Sequence, residues 1–293
     1  MNMKPPVTVV RTQHGPFERL VLSHPSPGTL PAQLSVYRVG DLLIDTGGTI
    51  VADTLAAALA DRPPRRILLT HQHEDHAGGV ATLRRAFGAL PVLCPRAHVG
   101  IVTTGVTVPD FRAAYWGQPE PTGDVIPFDP GHVVEDNGVL LEALLTPGHT
   151  PGHITWLART TDGARFALSG DLFLSERPLP AWHESAADDL VASQRQLAAL
   201  APDLTLLPTH GRVRTDGAAT LLRSADAAQR EADAVHAAAA ALGTRDPTTV
   251  ARALYGELDA FERHVRGEIS RLAWARAVLA PVRTLPAPAL VFD

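Results

Sequence analysis

Hydrophobic and polar positions alternate in short blocks along the first two thirds of the chain. Short apolar runs rich in Val, Leu and Ile are typical of strands, whereas longer runs with apolar positions three or four apart are typical of helices. The predicted strands are 7–12, 34–45 (two runs around a turn at Gly40-Asp41), 66–69, 91–94, 138–146, 153–158, 165–169 and 204–207. The predicted helices between them are 51–60, 79–88 and 186–200. This alternation indicates an α/β protein.

The periodicity weakens over residues 95–138, where Pro, Gly and Asp are frequent and Tyr115 and Trp116 lie in the middle. A long irregular segment inside a compact domain is often a lid or a binding loop. The alternative is a plain surface excursion in which Tyr115 and Trp116 pack locally.

After residue 212 the chain becomes rich in Ala and helical in pattern. Helices are predicted at 218–242, from Pro247 onward with Asp246 as the cap, and at about 258–279. The tail from Pro281 to Asp293 is expected to form an arm or a short strand. We therefore predict a domain over 1–212 and a helical extension over 213–293.

The composition provides ample material for a core, with 45% hydrophobic and 19% charged residues, and excludes wholesale disorder. A formal charge of −5 argues against nucleic acid as the main partner. No stretch has the length of a membrane span, and the N-terminus lacks the apolar core of a signal peptide, so a cytoplasmic protein is expected. The single Cys94 ends an apolar run, which predicts an inert buried thiol.

Candidate chemistry is concentrated in residues 70–79, THQHEDHAGG. In an extended segment His71, His73 and Asp75 would point to the same side, and His76 would follow where the chain bends at Gly78-Gly79. Imidazole and carboxylate together bind zinc, iron or manganese. The alternative is a polar turn of solvated histidines.

This spacing resembles the signature of the metallo-β-lactamase superfamily, and four further motifs follow the family's order. They are LLIDTG at 42–47, TPGHTPGH at 146–153, SGD at 169–171 and LPTHG at 207–211. The resemblance covers about residues 30–212. It implies an αββα sandwich of the metallo-β-lactamase fold, with metal ions at one edge of the sheets and a C-terminal helical extension.

The resemblance also implies a ligand set for two divalent metal ions, with Zn²⁺ as the first expectation and Fe or Mn as alternatives. His71, His73 and His149 would bind the first ion, and Asp75, His76 and His210 the second. Asp171 would bridge them. Hydroxide held between the ions would be the nucleophile, and Asp75 is in addition assigned to catalysis.

Three further residues have two interpretations each. Asp45 is either an outer partner of a ligand histidine or the cap of a turn. His153 is expected to stabilise a strand edge, with ligation as the alternative. His183 either lines the pocket or is a surface residue, and we predict that a His183→Ala variant keeps its metals.

Differences between this chain and individual branches of the superfamily narrow the expected function. True β-lactamases of this fold carry Cys or Ser where this chain has Asp171, and flavodiiron proteins carry Glu where it has His73. Leu174 supplies neither the Lys of β-lactamases nor the Tyr of acyl-homoserine lactonases. Glyoxalase II carries a basic and aromatic glutathione-binding segment after its bridging Asp, where this chain has ERPLP at 176–180, and this difference argues against glutathione thioesters.

The expected function is hydrolysis of a small ester, thioester or lactone, with Leu174, Tyr115 and Trp116 beside an acyl group. A phosphodiesterase or endoribonuclease is the first alternative, because 249–255 and 266–272 resemble the winged-helix-like extension of one branch. Arg212 and Arg214 would then contact phosphate. A mononuclear iron persulfide dioxygenase and a metal-binding module without catalysis are two more possibilities. The helical tail could form a homodimer contact.

Overall fold

The computed structural model describes residues 6–27, 31–176, 181–182 and 184–280. Two β-sheets lie face to face with helices on their outer sides. The elements up to residue 145 are β1 Thr8–His14, β2 Phe17–His24, β3 Ala32–Val39, β4 Leu42–Ile44, α1 Thr49–Leu59, β5 Arg66–Leu68, α2 Glu74–Ala77, α3 Val80–Phe87, β6 Val92–Pro95, α4 Val99–Thr104, α5 Asp110–Trp116, β7 Ile126–Phe128, β8 Val133–Asp136 and β9 Val139–Leu145.

The remaining elements complete the second sheet and form the extension. They are β10 Ile154–Thr160, β11 Arg165–Gly170, β12 Ala181–Trp182, α6 Ala187–Leu200, β13 Thr205–Pro208, α7 Gly217–Leu242, α8 Pro247–Tyr255, α9 Ala260–His264, β14 Ile269–Ser270 and α10 Arg271–Leu279. Asp246 caps α8 by accepting a hydrogen bond from the Thr249 amide at 2.8 Å, as its position before Pro247 predicts.

Within the described residues, one sheet has seven strands in the order β1-β2-β3-β4-β5-β6-β7, and the other has five in the order β13-β11-β10-β9-β8. Strands β4 to β7 run parallel, as do β11 and β13, so the carboxyl ends of several strands meet at one edge. Each candidate ligand follows such a strand end. The topology therefore brings distant motifs together.

The core between the sheets follows from the alternation of side chains along each strand. Leu141 and Trp156 face inward and pack against Phe17 and Ile44 of the opposite sheet. Helices α1 and α3 cover the outer face of the seven-stranded sheet, and α6 and α7 cover that of the five-stranded sheet. The predicted αββα sandwich is confirmed.

Cys94 lies in β6 and is fully buried, as predicted. Burial raises the pKa of its thiol to about 12. No described helix is both long enough and apolar enough to cross a bilayer.

Three predictions of local structure were wrong or incomplete. No strand was predicted at Phe17–His24, where Glu18 and Arg19 interrupt the apolar alternation. Residues 95–138 are not irregular, since they form α4, α5 and two short strands. The single helix expected over 258–279 is divided, because Arg266 and Gly267 adopt positive φ angles of 52° and 73° and the chain then forms β14.

The extension packs on the sandwich through α7, which contacts α6 along much of its length. Ala187 and Val191 of α6 share a hydrophobic cluster with Trp274 and Val278 of α10. The division between 212 and 213 stays a prediction. The expected arm from Pro281 to Asp293 lies outside the described residues.

Candidate metal centre

The histidine-rich stretch follows β5, and its conformation differs from the predicted one. His73 has extended backbone angles, but Asp75 and His76 belong to the short helix α2, which begins after His73. The expectation that Asp75 points the same way as His71 in an extended segment is therefore wrong. The change to a helix separates the ligands, so that the first two histidines face one group and Asp75 and His76 face another.

The two glycines after α2 are needed for space rather than for an unusual backbone. Gly78 and Gly79 have ordinary helical angles, with φ of −64° and −80°. A Cβ atom on Gly79 would lie 2.5 Å from the carbonyl oxygen of Thr46, and that contact is impossible. The ligand helix packs directly on the backbone that follows β4.

Three buried imidazoles converge to form the first group. The Nδ1 atom of His73 lies 3.1 Å from Nε2 of His71 and 2.9 Å from Nε2 of His149. Burial lowers the pKa of His71, and it lowers the pKa of His149 to about 3 against the raising effect of Asp171. These two rings are therefore neutral, which is the form of imidazole that binds a metal.

The second group combines two carboxylates with two imidazoles. Nε2 of His210 lies 3.0 Å from Oδ2 of Asp75, and Nε2 of His76 lies 3.2 Å from Oδ1 of Asp171. Burial would raise the pKa of Asp75, but the charge on His76 and the hydrogen bond from His210 outweigh it and hold that pKa at about 2. Asp75 is thus an ionised candidate ligand near neutral pH.

The Asp171 carboxylate faces both groups. Its Oδ2 atom lies 3.3 Å from Nε2 of His149 in the first group, while its Oδ1 atom approaches His76 in the second. Asp171 follows the end of β11, and its backbone N–H donates to Nε2 of His153 at 3.1 Å. This hydrogen bond holds the residue where one carboxylate spans the two groups.

His153 lies outside both ligand groups. Because its Nε2 atom accepts from Asp171, its proton is on Nδ1, which lies 3.0 Å from the hydroxyl of Thr146. Both ring nitrogens therefore have partners in the protein. The structural role expected for His153 agrees with these contacts.

Outer partners orient several of the candidate ligands. Oδ2 of Asp45 lies 2.7 Å from Nδ1 of His76, so the predicted contact of Asp45 with a ligand histidine is present. Nδ1 of His210 lies 3.0 Å from the backbone oxygen of Gln33. Nε2 of His73 lies 3.8 Å from Oε2 of Glu184. No prediction covered Glu184, and its position after β12 has no signal in the sequence.

The donor atoms of these groups fit metal ions. Nε2 of His76 and Oδ1 of Asp171 are buried and form no hydrogen bond with the described residues. Buried polar atoms nearly always have a partner, so a cluster of such atoms pointing at one another indicates a site for a cation. Three imidazoles in one group, and two carboxylates with two imidazoles in the other, are suitable ligand sets for divalent metals.

A model of the metallo-beta-lactamase superfamily matches residues 33–210, more than half of the 293 residues. The chain belongs to the metallo-beta-lactamase superfamily. The family model therefore covers the stretch that contains all seven candidate ligands, and it agrees with the resemblance carried by the five motifs.

Two relatives of this superfamily member cover about half of the chain. It is 30% identical over 154 residues to the probable metallo-hydrolase YybB of Bacillus subtilis (strain 168), covering 52% of this chain and 66% of that protein. It is 31% identical over 175 residues to the hydroxyacylglutathione hydrolase of Stenotrophomonas maltophilia (strain R551-3), covering 58% of each chain. The chain thus spans less than two thirds of either relative.

Two solved structures share the fold of this superfamily member over most of its length. A beta-lactamase domain protein from Burkholderia ambifaria aligns with a TM-score of 0.66 at 16% identity, covering 89% of this chain and 85% of that one. A metallo-beta-lactamase family protein from Thermus thermophilus aligns with a TM-score of 0.62 at 20% identity, covering 89% and 91%. Both alignments extend into the helical extension.

A cavity of about 340 Å³ opens onto the second ligand group of this metallo-beta-lactamase fold. Asp75, Asp171 and His210 form its polar end. Tyr115 and Trp116 line it, so the segment 95–138 contributes one wall, and its role as a lid stays a prediction. The other described lining residues are Phe111, Arg112, Leu174, Trp182, Phe261, Val265 and Ile269.

Several of these cavity residues were missed from the sequence. Phe261, Val265 and Ile269 were assigned to one continuous helix, which hid their position. The sequence does carry a signal for the start of α9, because the spacing of Asp259 and Glu262 is that of a capping box, and these residues form one in the structure. His183 lies outside the described residues.

Proposed function

We propose that this chain is a dinuclear metal-dependent hydrolase of small esters, thioesters or lactones. The observation that carries the proposal is the Asp171 carboxylate, with Oδ2 3.3 Å from His149 and Oδ1 3.2 Å from His76. A carboxylate with one oxygen toward each of two ligand groups is suited to bridging two cations. The names of the two relatives, a metallo-hydrolase and a hydroxyacylglutathione hydrolase, support hydrolysis.

In this proposal three imidazoles bind the first ion, a carboxylate and two imidazoles bind the second, and Asp171 binds both. The first set is His71, His73 and His149, and the second is Asp75, His76 and His210. Zinc is the first choice of metal because imidazole and carboxylate suit it, and they suit iron and manganese as well. When bound, such a pair of ions supplies a water that is acidic enough to attack at neutral pH and an electrophile for the substrate oxygen.

The residues around the cavity orient the substrate and limit water. Asp75 lines the cavity, and we assign to its carboxylate the transfer of a proton from the attacking water toward the leaving group. Asp45 and the backbone oxygen of Gln33 keep the His76 and His210 rings in place. The aromatic side chains of Tyr115 and Trp116, which line the same cavity, exclude water from the carbonyl group of the substrate.

The charges of the cavity favour acyl over phosphodiester substrates. Arg112 is the cation among the described lining residues, and it is already paired with Glu74. Neither Arg212 nor Arg214 lines the cavity, and Arg214 lies 3.7 Å from Glu176 instead. Apart from the proposed metal ions, a phosphodiester would therefore meet no unpaired cationic side chain among the described residues that line the cavity.

The test combines metal analysis with a substrate panel on the purified full chain. Inductively coupled plasma mass spectrometry should find two divalent ions per chain. Nitrophenyl acetate, an acyl thioester and a lactone should be hydrolysed, and bis-nitrophenyl phosphate should not. Turnover of the phosphodiester alone would make the protein a phosphodiesterase. One iron with no hydrolysis would favour persulfide oxidation, and two metals with no turnover of any substrate would favour a binding module.

A further inference from the structure

The cavity beside the ligand groups has an apolar far end, and its apolar lining comes from helix α5, from the segment after Asp171, from Trp182 of β12 and from the extension. Helix α5 contributes Phe111, Tyr115 and Trp116. The segment after Asp171 contributes Leu174. Of the twelve described residues that line the cavity, eight are apolar or aromatic. Such a lining recognises a hydrocarbon group by removing its surface from water.

The extension supplies the wall that is farthest along the chain from the ligands. Phe261 is 46% exposed at the surface, Val265 is buried, and Ile269 is half-buried; all three line the cavity. This wall is held against the sandwich by the pairing of β12 with β14, in which Trp182 is opposite Ile269. Strand pairing therefore fixes the Ile269 end of the wall, in addition to the apolar contact.

Arg112 is the cationic side chain of the cavity, and it is paired with a carboxylate of the protein itself. Nε of Arg112 donates to Oε1 of Glu74 at 2.7 Å, and its Nη2 donates to the other oxygen of the same carboxylate. Its guanidinium lies 4.8 Å from the centre of the Trp182 ring, and Nη1 is 3.9 Å from Glu268. Arg112 thus closes one side of the cavity without offering a free charge to an anionic substrate.

We propose that this cavity binds the neutral, aliphatic or aryl acyl group of the substrate, and that Phe261, Val265 and Ile269 determine its length. The proposal rests on the hydrolase function and specifies its substrate class. The carbonyl lies at the Asp75 and His210 end, and the hydrocarbon extends toward the wall formed by the extension. Each methylene buried there raises kcat/KM about 4-fold until the cavity is filled.

The first experiment measures kcat/KM for nitrophenyl esters from acetyl to decanoyl with the metal-loaded full chain. The parent should gain about 4-fold per methylene over the first several carbons. Ile269→Trp narrows the cavity and should lower the decanoyl-to-acetyl ratio at least 10-fold, whereas Phe261→Ala should shift the longest accepted chain upward. Leu254→Ala is the matched control, because Leu254 is an exposed apolar residue of α8 outside the cavity.

A second measurement does not depend on turnover. Trp116 and Trp182 line the cavity, so binding of unreactive methyl ketones can be followed by tryptophan fluorescence. We expect 2-decanone to bind more tightly than 2-butanone in the parent and in Leu254→Ala, and this difference to shrink in Ile269→Trp.

The outcomes separate the two proposals. Chain-length-dependent ketone binding without ester turnover would refute the hydrolase function and leave the apolar pocket standing. Rapid acetyl hydrolysis with a flat chain-length profile, or an unchanged profile in Ile269→Trp, would refute the pocket. A preference for a thioester whose acyl group carries a carboxylate would refute the neutral substrate class.

Discussion

Oδ2 of Asp45 lies 2.7 Å from Nδ1 of His76, and the same carboxylate accepts hydrogen bonds from the backbone N–H and the hydroxyl of Thr70, each at 2.8 Å. Asp45 adopts a left-handed backbone with φ of 58°, where it directly follows β4. One buried carboxylate therefore sets both the orientation of a candidate ligand and the start of the ligand loop.

Replacing Asp45 with Asn should weaken the second metal site selectively. The amide has one oxygen for three donors, and its NH₂ group would face a donor, so the His76 ring would lose its fixed orientation. We expect the affinity for the second ion to fall about 10–100-fold, and that for the first ion to change little. Competition with a chromophoric chelator measures both affinities, and equal losses at the two sites would contradict this assignment of Asp45.

Asp171→Ala should remove the carboxylate shared by the two groups. The expected result is loss of turnover and a fall in metal content from two ions to at most one per chain. Mass spectrometry of the native protein counts the ions directly. His236→Ala is the control, because His236 is exposed on α7 and belongs to neither group. Two ions and full turnover in Asp171→Ala would overturn the site assignment.

Removing only one partner of the Arg112–Glu74 ion pair should lower the stability of the fold strongly. Both side chains are buried, so Arg112→Met leaves an unpaired buried carboxylate between the ligands His73 and Asp75. Loss of one partner of such a pair costs about 3–5 kcal/mol of the free energy of unfolding. Urea unfolding of Arg112→Met, Glu74→Leu and the double variant measures this value.

The exposed pair Arg85–Glu120 provides the comparison for that cycle. Arg85→Met should change the unfolding midpoint much less than Arg112→Met, because solvent and salt screen exposed charges. The double variant Glu74→Leu/Arg112→Met should recover most of the lost stability. Equal effects of Arg112→Met and Arg85→Met would show that the buried pair contributes no more than a surface one.

Glu262 should make the extension sensitive to acid. Its carboxylate accepts hydrogen bonds from the Arg271 backbone at 2.7 Å and from the Arg271 Nε atom at 2.9 Å, and these contacts hold its pKa at about 2, below the usual 4.5. A lowered folded-state pKa adds stability that is fully present above pH 4.5. That stability is lost as the pH falls toward 2.

Glu262→Gln lacks this contribution, so the parent should have the higher Tm at pH 7. The difference in Tm should shrink as the pH falls from about 4.5 toward 2. Thermal unfolding followed by circular dichroism measures both proteins at each pH. The remaining carboxylates titrate in the same way in both chains and cancel in the difference. A difference that stays constant down to pH 2 would contradict the lowered pKa of Glu262.

The convergence of the candidate ligands could be predicted from the sequence because the motifs that carry them depend on residue type and short spacing. His71, His73, Asp75 and His76 lie within six residues, and each remaining ligand follows a recognisable apolar strand. Their division into two groups was predicted from the family resemblance and agrees with the structure, but the spacing alone did not give it. The start of α2 at Glu74 turns Asp75 away from His71. A helix of four residues is too short to be predicted from a hydrophobic period.

Only part of the cavity could be predicted. Leu174, Tyr115 and Trp116 were expected beside an acyl group and do line it, whereas the remaining wall residues meet only through tertiary packing. Arg112 and Glu74 are 38 positions apart, and no sequence motif indicates that they form an ion pair. The apolar positions of 258–279 keep a helical period, yet positive φ angles at Arg266 and Gly267 turn the chain so that Ile269 reaches β12. Periodicity indicates which side of a helix is apolar, not whether the helix continues.

The pairing of β12 with β14 has a consequence for how selectivity can change. The candidate metal ligands all lie between His71 and His210, whereas the far wall of the cavity begins at Phe261. Substitutions or exchanges in the segment 257–270 can therefore reshape substrate choice while the reactive centre keeps its donors. In the proposed hydrolase the reaction and the substrate range could therefore evolve separately, because a short piece of chain around α9 and β14 forms the far wall.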